Sequence, residues 1–298
     1  MSEFLKVAKI EKLMELHALQ AQLQRGYWHF RGHADSDWIL ESSLERFFNE
    51  RIGGVSLEKN MAEQTMLREF KKEAHNYDHT FPESEDVLGW FAIMQHYGCP
   101  TRLLDITRSL YIALFFTLEN ATSESDRSSA VWVFSDPVSY YQDAGIYNHD
   151  KTKGASDSLT AMNRVCFEPD APKTVLATEM RRRNLRMSCQ QGWFLVPVSG
   201  QETLRQQLSI AYGLGEGELE AESIKQKEVI AIDQLLSELP GTRIFKLEIP
   251  SSLRIDILDH LRRCNVNAHQ LFPGLDGLAR SLKFRCEEWQ RFGIPEEQ

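Results

Sequence analysis

The sequence is poor in the residues that build cross-linked, fibrous or low-complexity chains. Five cysteines (Cys99, Cys166, Cys189, Cys264, Cys286) are scattered through 298 residues. The number is odd and no Cys-x-x-Cys pair occurs, which argues against a disulfide framework or a zinc ribbon and fits a reducing cytoplasm. Only 17 glycines and 10 prolines are present, too few for collagen-like or low-complexity classes. Positive charge is in deficit: 34 Lys+Arg against 43 Asp+Glu give a net charge of −9. Such a chain is a poor bulk binder of nucleic acid or anionic membrane, and only local basic windows could serve. No apolar run approaches the length of a membrane span. The first residues carry charges where a signal peptide would carry its apolar core. Phosphate-loop, dinucleotide-fingerprint, nucleophile-elbow and H-E-x-x-H motifs are all missing. The 9 histidines include no close ligand pair with supporting cysteines, so no metal is predicted.

What remains is an ordinary globular mixture, 42% hydrophobic and 26% charged. Ile10, Leu13, Leu16, Leu19 and Leu23 repeat at helical spacing and predict a helical N-terminal arm over residues 1–26. Tyr27 to Arg31 reads as an aromatic strand. Helices are predicted over 44–49, from Ser56 to about His79, and over 84–97 with Gly98 as a left-handed stop. Residues 99–105 read as a short strand or extended turn. Ser109 to Asn120 is an almost wholly apolar helix, buried on most sides. Strands follow at 130–135, 192–197 and 243–249, and helices at 202–211, 251–264 and 273–292. Residues 136–178 are the least regular. No repeat and no biased linker divides the chain. The expectation is one α+β domain over 27–298, a small mixed or antiparallel sheet wrapped by helices.

Four stretches could carry chemistry. In Tyr27-Trp28-His29-Phe30-Arg31-Gly32-His33, an arginine at a strand end precedes a glycine. Guanidinium binds phosphate or carboxylate as a fork, and the glycine would let a ligand approach the backbone. The same arginine could instead tie the strand to a neighbouring acid. In Gln95-His96-Tyr97-Gly98-Cys99-Pro100-Thr101-Arg102-Leu103-Leu104-Asp105, two charges stand beside the most apolar helix. They are costly there unless paired, which fits either a structural network or an active site. Arg181 to Arg186 is the one strongly basic window, followed by Gln190 and Gln191 before a strand. Leu271-Phe272-Pro273-Gly274-Leu275-Asp276-Gly277 reads as a helix start, with Asp276 near the positive end of the dipole.

Taken together, these four segments resemble the FRG domain, a bacterial family named for its Phe-Arg-Gly motif, here Phe30-Arg31-Gly32. The longest match is the stretch from Gln95 to Asp105 followed by Ala113-Leu114-Phe115-Phe116. The layout is also distantly similar to ADP-ribosyltransferases, which hold NAD with an arginine or histidine on a first core strand and place an acid before a later one. That resemblance implies an ADP-ribosyltransferase-like fold and an NAD- or nucleotide-using enzyme acting in stress or phage defence. A non-catalytic nucleotide-sensing or protein-interaction module is the alternative. The resemblance implies Arg31, Gln190, Gln191 and Glu179 as catalytic residues. Phe30, Gly32, His33, Gln95, His96, Thr101, Arg102, Asp105 and Asp276 would be ligand contacts. Glutamine stands where those enzymes carry glutamate, and Glu179 is the nearest acid upstream.

Overall fold

The computed structural model describes residues 4–23, 27–51, 58–77, 80–121, 127–136, 167–168, 170–180 and 183–293. Much of the stretch read as least regular, 137–166, lies outside the described residues. In the N-terminal half the chain runs β1 (Lys6–Lys9), α1 (Leu13–Leu23), β2 (Trp28–His33), α2 (Ser43–Arg51), α3 (Glu58–Ala74), α4 (Val87–His96), β3 (Leu104–Thr107), α5 (Leu110–Glu119) and β4 (Ser129–Ser135). It continues with β5 (Val175–Thr178), α6 (Leu185–Cys189), β6 (Gly192–Pro197), α7 (Leu204–Tyr212), α8 (Ala221–Lys225), β7 (Val229–Ala231), α9 (Ile232–Glu238) and β8 (Ile244–Ile249). Helices α10 (Arg254–Arg263), α11 (Ala268–Leu271) and α12 (Leu275–Phe292) close it.

Eight strands form one mixed sheet in the order β5-β6-β3-β2-β4-β8-β1-β7. The fold is α+β, as expected, but the sheet is larger than its obvious strands suggest. The N-terminal segment is also more than a helical arm. Residues 6–9 form β1, which pairs in parallel with both β8 and β7. The remaining pairings are antiparallel.

The helices cover the sheet in three patches. Over β2, β4, β8 and β1, one face packs Phe30, Val131, Val133, Phe245 and Leu247 against α1, α5, α9 and α10. On that face, Phe194 and Val196 of β6 pack against α3 and α4. The opposite face buries Leu104, Ile106, Trp132, Phe134 and Leu195 against α7. Helix α5 is apolar all round and is buried on most sides, as its composition predicts, and Ser109 caps its first turn. The two patches on the first face meet above the boundary between β2 and β3. There the sheet is weakest: β2 and β3 share one registered pair, Phe30 with Thr107, whereas β2 and β4 are in register from Trp28 to His33.

Candidate active-site cleft

The seam between the helical patches opens into a cleft of about 390 Å³. Its floor is the split between β2 and β3, and its walls come from α4 (Ala92, Gln95, His96), α5 (Ala113, Phe116) and α6 (Arg186, Met187). Arg31, Asp105 and Gln190 all line it. A larger groove of about 570 Å³ lies between α5, α10 and α12. It holds none of the residues expected to carry chemistry.

Arg31 sits where the β2–β3 ladder fails. Its Nη1 donates to the Asp105 carbonyl at 2.9 Å, filling a backbone acceptor that a paired strand would have used. The Asp105 carboxylate stands 3.7 Å from the same nitrogen. Arg31 Nε is buried and has no partner among the described residues. Burial lowers the Arg31 pKa from its ordinary value, Asp105 opposes the shift, and Arg46 adds to it. The guanidinium remains charged and keeps donor capacity to spare. Arg31 leans on an acid, as one of its two readings expects, and it also lines the ligand-sized cleft.

Gln190 is held from two sides. Its carbonyl accepts from the Thr107 hydroxyl at 2.8 Å, and its side-chain amide donates to the Leu271 carbonyl at 3.0 Å. Gln191 follows with a backbone φ of 45°, a left-handed conformation uncommon for a residue other than glycine. That turn directs the Gln191 carbonyl to the Arg108 amide at 3.2 Å. Gln191 itself is exposed and outside the cleft lining. Gln95 lines the cleft while its side-chain oxygen accepts from the Thr101 hydroxyl.

Several expected contacts fall elsewhere. Arg102 is 4% exposed and belongs to a buried knot. Its Nε and Nη2 donate to Glu63 of α3, its Nη2 also to Asn60 at 3.2 Å, and its Nη1 to the Val198 carbonyl at 2.9 Å. It supports structure and lies outside the cleft lining. Thr101 is buried and fixes the same junction, its amide N–H donating to the Ser43 hydroxyl oxygen at 3.0 Å. His33 is buried outside the lining, and its Nδ1 donates to the Trp38 carbonyl at 3.2 Å. Burial, together with Arg31, Lys246 and Arg46, holds its pKa down at about 3, so it is neutral. Phe30, by contrast, does line the cleft while its ring also joins the core beneath α5. Glu179 is paired with Arg183 and does not line the cleft. Asp276 is exposed in the first turn of α12, also away from the lining.

Gly32 lines the cleft, and it also has a packing role that its sequence context does not suggest. A Cβ there would lie 2.3 Å from Thr117 Oγ1 and 2.5 Å from the Ala113 carbonyl. The glycine admits α5 onto the strand, and the cleft wall follows from that close approach.

Sequence reasoning missed Trp193 and the α5 wall. Arg186, read only as part of a basic window, lines the cleft and stacks on Phe272 with its guanidinium carbon 4.7 Å from the ring centre. Its neighbours Arg181 and Arg182 lie outside the described residues. The alternation in β6 could have flagged Trp193, since Ile106 opposite it is a core residue.

Residues 26–126 match the family model of the FRG domain. The match runs from the Phe30-Arg31-Gly32 strand through α5 and β3, and so supplies the floor and the α4 and α5 walls. The α6 wall and Gln190 lie beyond it. No curated protein and no solved structure matches the chain. Nothing in these findings supports the ADP-ribosyltransferase-like layout. No described helix is long and apolar enough to cross a membrane, and no three His, Cys, Asp or Glu side chains among the described residues are grouped to hold a metal ion.

Proposed function

We propose that this chain, which carries an FRG domain over residues 26–126, binds a nucleotide-type ligand in the Arg31 cleft. The observation that carries the reading is the Arg31 guanidinium at the floor of a ligand-sized cleft, one nitrogen tied to Asp105 and Nε unpartnered. A buried or half-buried cation with unused donors favours an anion over water. Around it stand amides from Gln95 and Gln190 and a cation on Arg186, with apolar surface from Phe116 and Phe194. Phosphate, sugar hydroxyls and a ring each find a matching group in that set. NAD is the cofactor that this reading and the resemblance share.

One observation also favours turnover. Asp105 lines the cleft beside Arg31, and it is a carboxylate where Gln190 is not. In an NAD glycosidic reaction, the bond from ribose C1′ to the nicotinamide nitrogen breaks and nicotinamide leaves with the electron pair. Water or an acceptor hydroxyl then adds to C1′ and loses a proton. Asp105 would stabilise the positive charge that builds on the sugar.

The test is calorimetry of the full chain with ADP-ribose and NAD, beside nicotinamide release. We expect ADP-ribose to bind, and Arg31→Ala to weaken it by about tenfold to a hundredfold, the loss of one or two charge-assisted hydrogen bonds. Release of nicotinamide that Asp105→Asn abolishes would favour turnover. Binding without release leaves a sensing module. Absence of any binding, or binding that Arg31→Ala leaves untouched, rejects the cleft as the site.

A further inference from the structure

A surface helix ordinarily turns its apolar stripe toward the core. Helix α12 does the reverse. Leu275, Leu278 and Leu282 recur at i, i+3 and i+7, and they are 83%, 41% and 42% exposed. Ala279 and Cys286 fall on the same stripe and are exposed too. Among the described residues, no other helix or strand exposes more than one large apolar side chain. Single exposed leucines are ordinary, but an aligned group marks a surface that something covers.

The opposite face holds the helix in place. A Cβ at Gly277 would collide with the Phe272 carbonyl and lie 2.8 Å from that of Ala268, so the first turn is pressed onto α11. Phe284 packs on the main core cluster, and Glu287 pairs with Arg254 of α10. Gly277, Phe284 and Glu287 share one face at helical spacing. They fix the rotation of the helix about its axis, and with it the outward direction of the leucines.

Beside the stripe runs the groove of about 570 Å³ between α5, α10 and α12, and Leu278 belongs to both. Phe115, Leu258, Val266 and Phe284 give the groove an apolar interior. Its charge is predominantly positive. Four arginine or lysine side chains line it against two glutamates, in a chain of net charge −9. Both glutamates are engaged, Glu119 with Arg280 at 3.7 Å and Glu287 with Arg254. Arg262 is tied to Asp259 at 2.8 Å. Lys283 and Arg285 are exposed and flank the leucine stripe on either side, and no described side chain forms an ion pair with them.

These features discriminate between occupants. A flat lipid surface leaves the groove unfilled, and the negative charge of the whole chain opposes an anionic one. A second copy laid antiparallel about Leu282 sets Lys283 against its own counterpart, a like-charge contact. A helix with an apolar ridge and acidic flanks matches every part. Its ridge covers the leucines, a large side chain enters the groove, and its carboxylates meet Lys283 and Arg285.

We propose that α12 and the adjoining groove form a docking surface for an acidic amphipathic helix of a partner protein. The surface is a different cavity from the Arg31 cleft, and α10 and α12 lie beyond the residues that match the FRG domain. The proposal therefore does not rest on the nucleotide reading.

The experiment titrates the full chain with a labelled peptide of about 18 residues, roughly five helical turns. The peptide repeats leucine at i, i+3 and i+7 and carries glutamate beside the leucines. A second peptide has lysine in place of every glutamate. Fluorescence anisotropy shows the glutamate peptide binding below about 100 μM and the lysine peptide at least about tenfold more weakly. Leu278→Gln with Leu282→Gln weakens the glutamate peptide by about tenfold or more, while the melting temperature stays within about 2 °C. Lys283→Glu with Arg285→Glu inverts the preference, so that the lysine peptide binds more tightly. Should the leucine pair melt lower, the charge reversal decides, because unfolding cannot invert a preference. Equal binding of the two peptides, binding indifferent to the leucine pair, or no binding of the glutamate peptide at about 1 mM overturns the proposal. Sedimentation and vesicle pelleting test the other occupants, and the expected result is a monomer that leaves phosphatidylserine vesicles unbound. A dimer dissolved by the leucine pair assigns the surface to a second copy instead. Vesicle binding lost in the same variant assigns it to a membrane.

Discussion

Arg31 and Arg102 come from the two motif stretches that most invite a functional reading, and the fold treats them in opposite ways. Arg102 is buried and its donors are committed: Glu63, Asn60 and the Val198 carbonyl take them, and Phe91 and Phe167 stand 5.9 and 5.4 Å from its guanidinium carbon. Arg31 makes one hydrogen bond to a carbonyl and one loose ion pair to an acid whose side chain is 64% exposed. An arginine beside a core helix is costly until an acid reaches it. Where α3 delivers Glu63, the charge becomes scaffold. Where the strand ladder parts and only an exposed aspartate is near, the charge remains available.

The largest effect should come from breaking the scaffold member. Glu63→Gln leaves Arg102 buried without its counter-charge and should cost about 3–5 kcal/mol in urea unfolding. The double variant Glu63→Leu with Arg102→Met removes both charges and should recover most of that loss. A cost below about 1 kcal/mol for the single variant would erase the distinction between the two arginines.

The second effect sharpens the Arg31 side, where neutral histidines surround the cation. His29 and His33 titrate in the folded chain at about 4 and about 3, against an ordinary 6.5 when unfolded. Below 6.5 the unfolded chain binds protons that the folded chain refuses. Their contribution is therefore fully present above pH 6.5 and is lost as pH falls toward 4 and then 3. His29 alone accounts for roughly 3 kcal/mol over that window. Unfolding midpoints compared at pH 7 and pH 4 should show a steep acid loss in the parent chain and a shallower one in His29→Phe. Parallel acid profiles would remove His29 from the account.

The smallest effect concerns the loose pair. Asp105→Asn should change stability by less than about 1 kcal/mol, because the ion pair is solvent-screened and the firm bond from Arg31 goes to the backbone carbonyl. The same unfolding measurement checks it. A loss as large as that of Glu63→Gln would make Arg31 a second scaffold arginine.

Some of this was legible in the residues and some was not. The apolar run after Ser109 announced α5 as a buried helix, and Gly98 with its φ of 87° ends α4 where the sequence places a stop. The aromatic strand and the glutamines before β6 stood out in the residues, but whether they converge was open; Arg31 and Gln190 share the cleft and Gln191 does not. Strands β1, β5 and β7 carried too little local signal. Each is only three or four residues long; β5 is an edge strand on β6, and β1 and β7 become strands through partners from distant parts of the chain. Gly32 lines the cleft, but its crowding against Ala113 and Thr117 is something no neighbouring residue reveals.

Residue order alone determined what is local here: the periodicity of the long helices, the apolar character of α5, the polar motifs that stand out against an acidic chain, and the resemblance those motifs carry. Partner choice was decided only in three dimensions. Glu63 meets Arg102 across 39 residues, and the β2–β3 split exposes Arg31 because two helical patches meet above it without closing. The reason is energetic: a charge is stabilised by whichever opposite group the packed chain brings within reach, and that distance is a property of the fold, not of spacing along the chain.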